Sequence, residues 1–202
     1  MAVKRFSTSF ISESGQDKSS NFIANYSPAI DEMELIQRVT VGGGGAPSIE
    51  FTDIPNTYRS LQLRASLRAS DTGSGPSTLI RMNGVESASY TTSEFVLADN
   101  GTRYTFSSGG TTRAWAPAVI GNNDATAGFF NFFILELPDY TSTAKNKTYI
   151  SYGGGRINAS VGYTNLNSGM LLSTDPVTSL LIFPDSGGTY AQYSAVSLYG
   201  VR

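Results

Sequence analysis

From Glu34 onward, clusters of Gly, Pro, Asn and Ser cut the sequence roughly every 10–15 residues, and no uncut stretch carries the i, i+3, i+4 apolar spacing of an amphipathic helix. Segments that short bury their apolar residues most readily as β-strands joined by polar turns. The clearest is 61–67, where Leu61, Leu63, Ala65 and Leu67 alternate with Gln62, Arg64, Ser66 and Arg68. That period of two is the mark of an antiparallel strand with one face in the core and one in water.

Further strands are predicted at 35–41, 48–54, 78–83, 90–95, 103–106 and 113–120, then at 148–152, 156–161, 170–173, 177–183 and 190–201. Residues 129–137 (FFNFFILEL) are apolar on both alternating sets except at Asn131 and Glu136, which predicts a central strand buried on both faces. Residues 71–76 and 107–112 read as loops. The glycine runs at 42–45, 153–155 and 187–188 read as turns, since no Gly-Lys-Ser/Thr or helix start follows to make a phosphate loop. Together these segments predict an all-β fold, a two-sheet antiparallel sandwich of jelly-roll type, spanning 34–202.

Residues 1–33 differ from the rest. Seven serines separate scattered apolar residues, Phe6, Phe10, Ile11, Phe22, Ile23, Tyr26 and Ile30, without a sustained period. This is the composition of an extended arm with hydrophobic hooks. Ordering such an arm costs on the order of 30–60 kcal/mol of backbone entropy. Full burial of its hooks returns only about 10–20 kcal/mol. An ordered arm therefore needs backbone hydrogen bonds as well, which strand addition to another chain would supply. The alternative is an arm folded back on its own sandwich.

The charge pattern and two missing residue types exclude several functions. Lys and Arg number 14 against 16 Asp and Glu, with no basic block, so nothing is built to neutralise a nucleic-acid backbone. The chain contains no cysteine and no histidine, which removes disulfides, thiolate nucleophiles, imidazole bases and the usual zinc ligands. No cofactor is expected. Neither an apolar signal core near Met1 nor a membrane-length apolar run is present, so the chain reads as one made in a cytoplasm with no membrane partner. The Asn-x-Ser/Thr triplets at Asn100, Asn146 and Asn158 then read as polar turns.

Few chemical clusters remain. Glu136 and Asp139 are the nearest carboxylates beside the Phe-rich segment, and sequence does not set them across a cleft as glycoside hydrolysis requires. Asp99-Asn100 and Asn122-Asn123-Asp124 offer oxygen ligands without EF-hand spacing and read as turns. Tyr90, Tyr104, Trp115 and Tyr163 fall near predicted loops, where aromatic faces could stack on a glycan, although most aromatics must fill the core. Arg64 and Arg68, on the outward set of the clean strand, form a candidate contact surface, since Arg favours interfaces. A solvated strand face is the equal alternative.

Three segments in order carry a resemblance. They are Phe51-Thr-Asp-Ile-Pro-Asn-Thr-Tyr58-Arg-Ser-Leu61-Gln-Leu63-Arg64, then Leu137-Pro-Asp-Tyr140-Thr-Ser-Thr-Ala-Lys145-Asn-Lys147-Thr, then Leu181-Ile-Phe-Pro-Asp-Ser-Gly187 with Ser197-Leu-Tyr199-Gly200. The trio resembles a family of small virion proteins of tailed phages that infect environmental bacteria, over most of residues 48–200. The family's short Gly-Asp-x-Gly-x-Asn-Tyr stretch is replaced here by residues 81–90, and the arm is not covered. The resemblance implies a virion component without catalysis, and turn and core roles for Pro55, Pro138, Leu61, Leu63 and Leu198. The expected function is therefore capsid decoration: a homo-oligomer on the head lattice, its arm clasping the major capsid protein, another virion protein or a sister copy. A tail adaptor or fibre, and a glycan-binding receptor module, are the competing expectations.

Overall fold

A computed structural model describes residues 33–70, 76–116, 126–156 and 161–202. Among these the secondary structure is all β: β1 (Met33–Thr40), β2 (Ile49–Phe51), β3 (Ser60–Leu67), β4 (Thr78–Met82), β5 (Tyr90–Ala98), β6 (Arg103–Thr111), β7 (Ala114–Trp115), β8 (Asn131–Pro138), β9 (Lys147–Arg156), β10 (Gly162–Leu171), β11 (Leu180–Pro184) and β12 (Ala195–Val201). The arm residues Phe6, Phe10, Ile11, Phe22, Ile23 and Tyr26 lie outside the described residues.

Every pairing is antiparallel, and the strands form two sheets. The larger runs β1-β12-β3-β8-β9-β10-β5-β6 and the smaller β2-β11-β4-β7. Leu61, Leu63, Leu67, Phe133, Leu135 and Leu198 from the first share one core with Ile49, Phe51, Ile80, Met82, Leu180 and Ile182 from the second. Each sheet therefore hides one face against the other, the standard way a two-layer fold removes apolar surface from water. Four pairings are nested along the chain: β1 with β12, β2 with β11, β3 with β8 and β4 with β7. The antiparallel pairs β5–β6 and β9–β10 are inserted into that scheme and widen the first sheet beyond β8.

The alternation of 61–67 is realised in β3: Leu61, Leu63, Ala65 and Leu67 are buried while Arg64 and Ser66 are exposed. Four expectations need correction. Residues 107–111 are not loop but the second half of β6. Residues 153–155 are not a turn; they lie inside β9, paired with β8 and β10. The strand predicted at 170–173 is the end of a longer one, β10, that begins at Gly162, while the strand predicted at 156–161 falls mostly outside the described residues. The Phe-rich segment is central by its pairing with β3 and β9, yet only one of its faces is buried: Phe133, Leu135 and Leu137 point into the core and Phe132 and Glu136 point out.

Parts of the motif segments, distant in sequence, meet around Tyr58, Tyr140 and Gly200, whereas residues 183–187 lie beside β4 and the chain leading into it. Tyr140 is fully buried and its hydroxyl donates to the carbonyl of Pro55. Val177 N–H donates to the Tyr140 carbonyl, and Ile54 N–H to that of Thr178. Gly200 lies against the Tyr58 ring so closely that an added Cβ would collide with ring atoms. In the turn after β8, Lys145 pairs with Asp139 at 2.7 Å, which holds the Asp139 carboxyl below the usual carboxylate range. Lys147 is buried, and its ammonium donates to the carbonyls of Ser142 and Lys145. These residues secure turns and packing.

Two predictions follow from this packing. Gly200→Ala forces the Tyr58 ring out of place and should lower stability by about 1–3 kcal/mol, seen as a lower urea midpoint at unchanged slope. The second concerns alkali. Burial raises the phenol pKa of Tyr90, Tyr140, Tyr149 and Tyr190, that of Tyr149 to about 12. The folded state thus holds these protons more tightly than the unfolded chain does. Their contribution is full below about pH 10 and is lost as pH rises through each folded-state pKa, for Tyr149 by about pH 12 and about 3 kcal/mol in all, and for Tyr190 at still higher pH. Tyrosinate absorbance of these four and loss of the β-sheet circular-dichroism signal should rise together in that window. Ionisation of the four well before unfolding would contradict it.

Candidate functional site

In an ordinary half-buried strand the apolar set faces the core and the polar set faces water. β5 and β10 depart from this in part. On their buried side Thr92, Glu94, Asn165 and Asn167 stand among Tyr90, Val96, Ala98 and Leu171, and on the exposed side Phe95, Leu97 and Leu166 stand among Ser93, Thr164 and Ser168. The buried polar groups are tied together by hydrogen bonds: Asn165 Nδ2 donates to Glu94 Oε1 at 3.0 Å, Thr92 Oγ1 meets the Tyr149 hydroxyl at 2.7 Å, and Asn167 Nδ2 reaches the Ala116 carbonyl at 3.4 Å. The Tyr149 hydroxyl also donates to the carbonyl of Trp115, which ties the inserted strands to β7.

The exposed set continues onto β8 and β9. Ile134, Tyr152, Leu166 and Phe95 are direct cross-strand neighbours, one from each of four consecutive strands. Phe132, Ile150 and Leu97 flank that row. Apart from half-buried Ile134, the side chains of this group remain 38–48% exposed. Gly154, Thr164, Ser168 and Ser93 fill the positions between them, so the surface alternates large and small residues and carries no charge at its centre. Taking roughly 200 Å² for a whole large side chain, the six exposed members present on the order of 500 Å² of apolar surface, near the top of the range for monomers and typical of interaction sites.

On β3 the same sheet face is polar, and on β1 it carries exposed Met33 and Leu35. Gln62 donates to Glu136 at 3.1 Å, Arg64 Nε donates to Gln62 Oε1 at 2.7 Å, and the Arg64 guanidinium lies 5.2 Å over the Tyr199 ring. Arg64 stands opposite Ile134 and so closes one end of the apolar row, while Thr105 on β6 closes the other. Arg68 is used differently: its Nη1 donates to the carbonyls of Thr126 and Phe129 and holds the approach to β8.

The four aromatic residues singled out for glycan contact do not form one groove. Tyr90 is wholly buried, its hydroxyl bonded to the Met82 backbone. Trp115 lies on β7, half-buried, its backbone N–H near Thr92 Oγ1. Tyr104 on β6 is exposed and stacks with Phe106 at a centroid distance of 6.4 Å. Tyr163 on β10 lines a shallow depression crossed by the Arg156–Asp99 ion pair, with β5 between it and Tyr104.

Among the described residues carboxylates do not cluster. Glu136 accepts from Gln62, Asp139 pairs with Lys145, and Asp99 binds Arg156 and the Gly162 N–H. Asn100 Oδ1 accepts from Thr102 N–H, an Asx turn, whereas residues 122–124 lie outside the described residues. Among the described residues no group of three or more Asp or Glu side chains could hold a metal ion, and no helix is long and apolar enough to cross a membrane.

Sequence reasoning missed Phe95, Leu97, Phe132, Ile150, Tyr152 and Leu166 as a surface. The available signal was the pair of Asn residues flanking Leu166, which puts polar residues on the phase opposite an apolar one. No protein-family model matches the sequence, and no curated protein matches it.

β8 and β9 approach each other closely here because residue 153 lacks a side chain; a Cβ on Gly153 would strike the Phe132 carbonyl and the Phe133 side chain. Gly153→Ala should therefore cost about 1–3 kcal/mol in chemical denaturation, and an unchanged midpoint would refute the close approach.

Proposed function

We propose that this chain is a non-enzymatic structural protein of a tailed-phage virion, with capsid decoration as its leading role. The observation that carries the reading is the apolar surface on β8, β9, β10 and β5, where Phe95, Leu97 and Leu166 turn outward while amides and a carboxylate of the same strands are buried. Such a surface costs free energy in water and is retained where a partner covers it. The ordered motif trio supplies the virion context. A jelly-roll architecture is supported by the nested pairing of the first four strands with β12, β11, β8 and β7, since a jelly roll is a long hairpin rolled so that alternate strands enter two sheets. That architecture recurs in capsid and lectin domains. In this role the protein stabilises a shell mechanically, by adding buried interface, and its effect grows with occupancy. The arm, with Phe6, Phe10, Ile11, Phe22, Ile23 and Tyr26 as anchors, clasps the major capsid protein, another virion protein or a sister copy. Tail placement, as an adaptor or fibre, uses the same surfaces. The exposed Tyr104–Phe106 stack favours the receptor-binding reading as the second choice.

Quantitative mass spectrometry of purified particles tests the proposal. Hundreds of copies per particle are expected for capsid decoration, whereas a dozen or fewer would move the protein to the tail, and its absence would end the virion reading. In the full chain, Phe6→Asp with Phe10→Asp should reduce particle occupancy at least about tenfold without lowering the melting temperature. Unchanged occupancy would remove the arm from docking.

A further inference from the structure

The apolar face of β8, β9, β10 and β5 needs an occupant, and four observations bear on which one fits. First, the face is a sheet, not a groove, so its natural complement is another sheet stacked about 10 Å away. Second, its centre is free of charge, with Arg64, Glu136 and Arg156 at the perimeter. An apolar centre with a polar rim is the anatomy of a protein–protein interface, and it gives a nucleic acid or an anionic membrane nothing to bind. Third, Phe95, Tyr152 and Leu166 project beside Ser93, Gly154, Thr164 and Ser168, so two copies of the same surface can seat large residues over small ones. Fourth, about 500 Å² from the six exposed side chains of one copy doubles to about 1,000 Å² across a self-complementary contact, before the rim is counted, which reaches the size of a specific interface.

We propose that a second copy of this chain covers this face, the two larger sheets meeting through β8, β9, β10 and β5 about a two-fold axis lying between them. A closed, isologous contact of this kind uses the patch once on each partner and leaves no apolar remainder to propagate. The inference rests on the assembly part of the proposed function and not on the virion itself. It also leaves β6 and the β1 side of the sheet available for other contacts.

Sedimentation equilibrium of the full chain over about 1–100 μM, combined with hydroxyl-radical footprinting, tests it. The expected result is a dimer in which modification of Tyr152, Phe132 and Leu166 falls as concentration rises, while Tyr104 and Phe106 stay reactive. Leu166→Glu should weaken dimerisation at least about 100-fold, and Glu50→Arg, on an exposed position of β2, should leave it unchanged. Ile150→Lys serves as a second variant should Leu166→Glu fail to fold. A chain monomeric throughout would overturn the proposal, including a monomer with Tyr152 protected at every concentration, which would make a segment of the same chain the occupant. A dimer whose footprint spares these residues would overturn it too, as would a folded variant that dimerises like the wild type. A monomer that still enters particles would sink this inference alone; a dimer absent from particles would sink the virion reading alone.

Discussion

The fold depends on antiparallel ladders between its first and last strands. β1 has no sheet without β12, and β2 none without β11, because each lies at the edge of its sheet with that one neighbour. The interior of the smaller sheet is closed the same way, β4 sitting between β11 and β7. Little of this core can form from local contacts, since loop closure over more than a hundred residues precedes the reward of pairing β1 with β12. The residues that fix the closing geometry are correspondingly specific: Gly200 under Tyr58, and the Tyr140 hydroxyl on Pro55. Pro55, Tyr58, Tyr140 and Gly200 of the motif segments sit here, which accounts for turn formers and core residues among them.

The surface proposed to bind partners lies mostly on strands that the nested scheme does not require. β5 with β6 and β9 with β10 are additions to the larger sheet, and of the nested strands only β8 contributes to the apolar face. This separation explains how the polarity of β5 and β10 can be partly reversed without opening the core. Their buried sides face β7 and a bonded set of polar groups, Thr92, Tyr149, Asn165 and Glu94, in place of the leucines found under β3 and β8. Buried polar groups are tolerated when bonded, and here the Nδ2 of each Asn is bonded while Asn165 Oδ1 and Asn167 Oδ1 have no partner among the described residues.

The same separation decides what was legible in the sequence. β3 was readable because Leu61, Leu63, Ala65 and Leu67 obey the ordinary rule of apolar side inward. β10 was not, because Asn165 and Asn167 are turn formers by composition and strand residues only by virtue of their ladder with β5 and β9. Gly153–Gly155 misled for a related reason: local propensity disfavours glycine in strands, while the close approach of β8 to β9 requires it at residue 153. In β8, apolar composition on both phases was consistent with burial on both faces, and only the pairing reveals that Phe132 has no layer of the described residues above it. The apolar surface itself is a property of register, since Ile134, Tyr152, Leu166 and Phe95 become neighbours only when four strands are aligned.

That dependence on register constrains how the surface could have been kept. A one-residue slip between β9 and β10 would carry Leu166 to the buried side and Asn165 or Asn167 to the exposed side, which would restore the ordinary polarity of a solvated sheet. The alternative register would suit an isolated protein in water better on its outer face. What opposes it is the inner side, where Glu94 would lose the Asn165 amide and the Ala116 carbonyl would lose that of Asn167. Taking one donor from a buried carboxylate and one from a buried carbonyl costs about 1–3 kcal/mol each, at least as much as half-exposing the Leu166 side chain. The buried hydrogen-bond network therefore holds the apolar face outward, and a partner that covers the face removes the remaining cost.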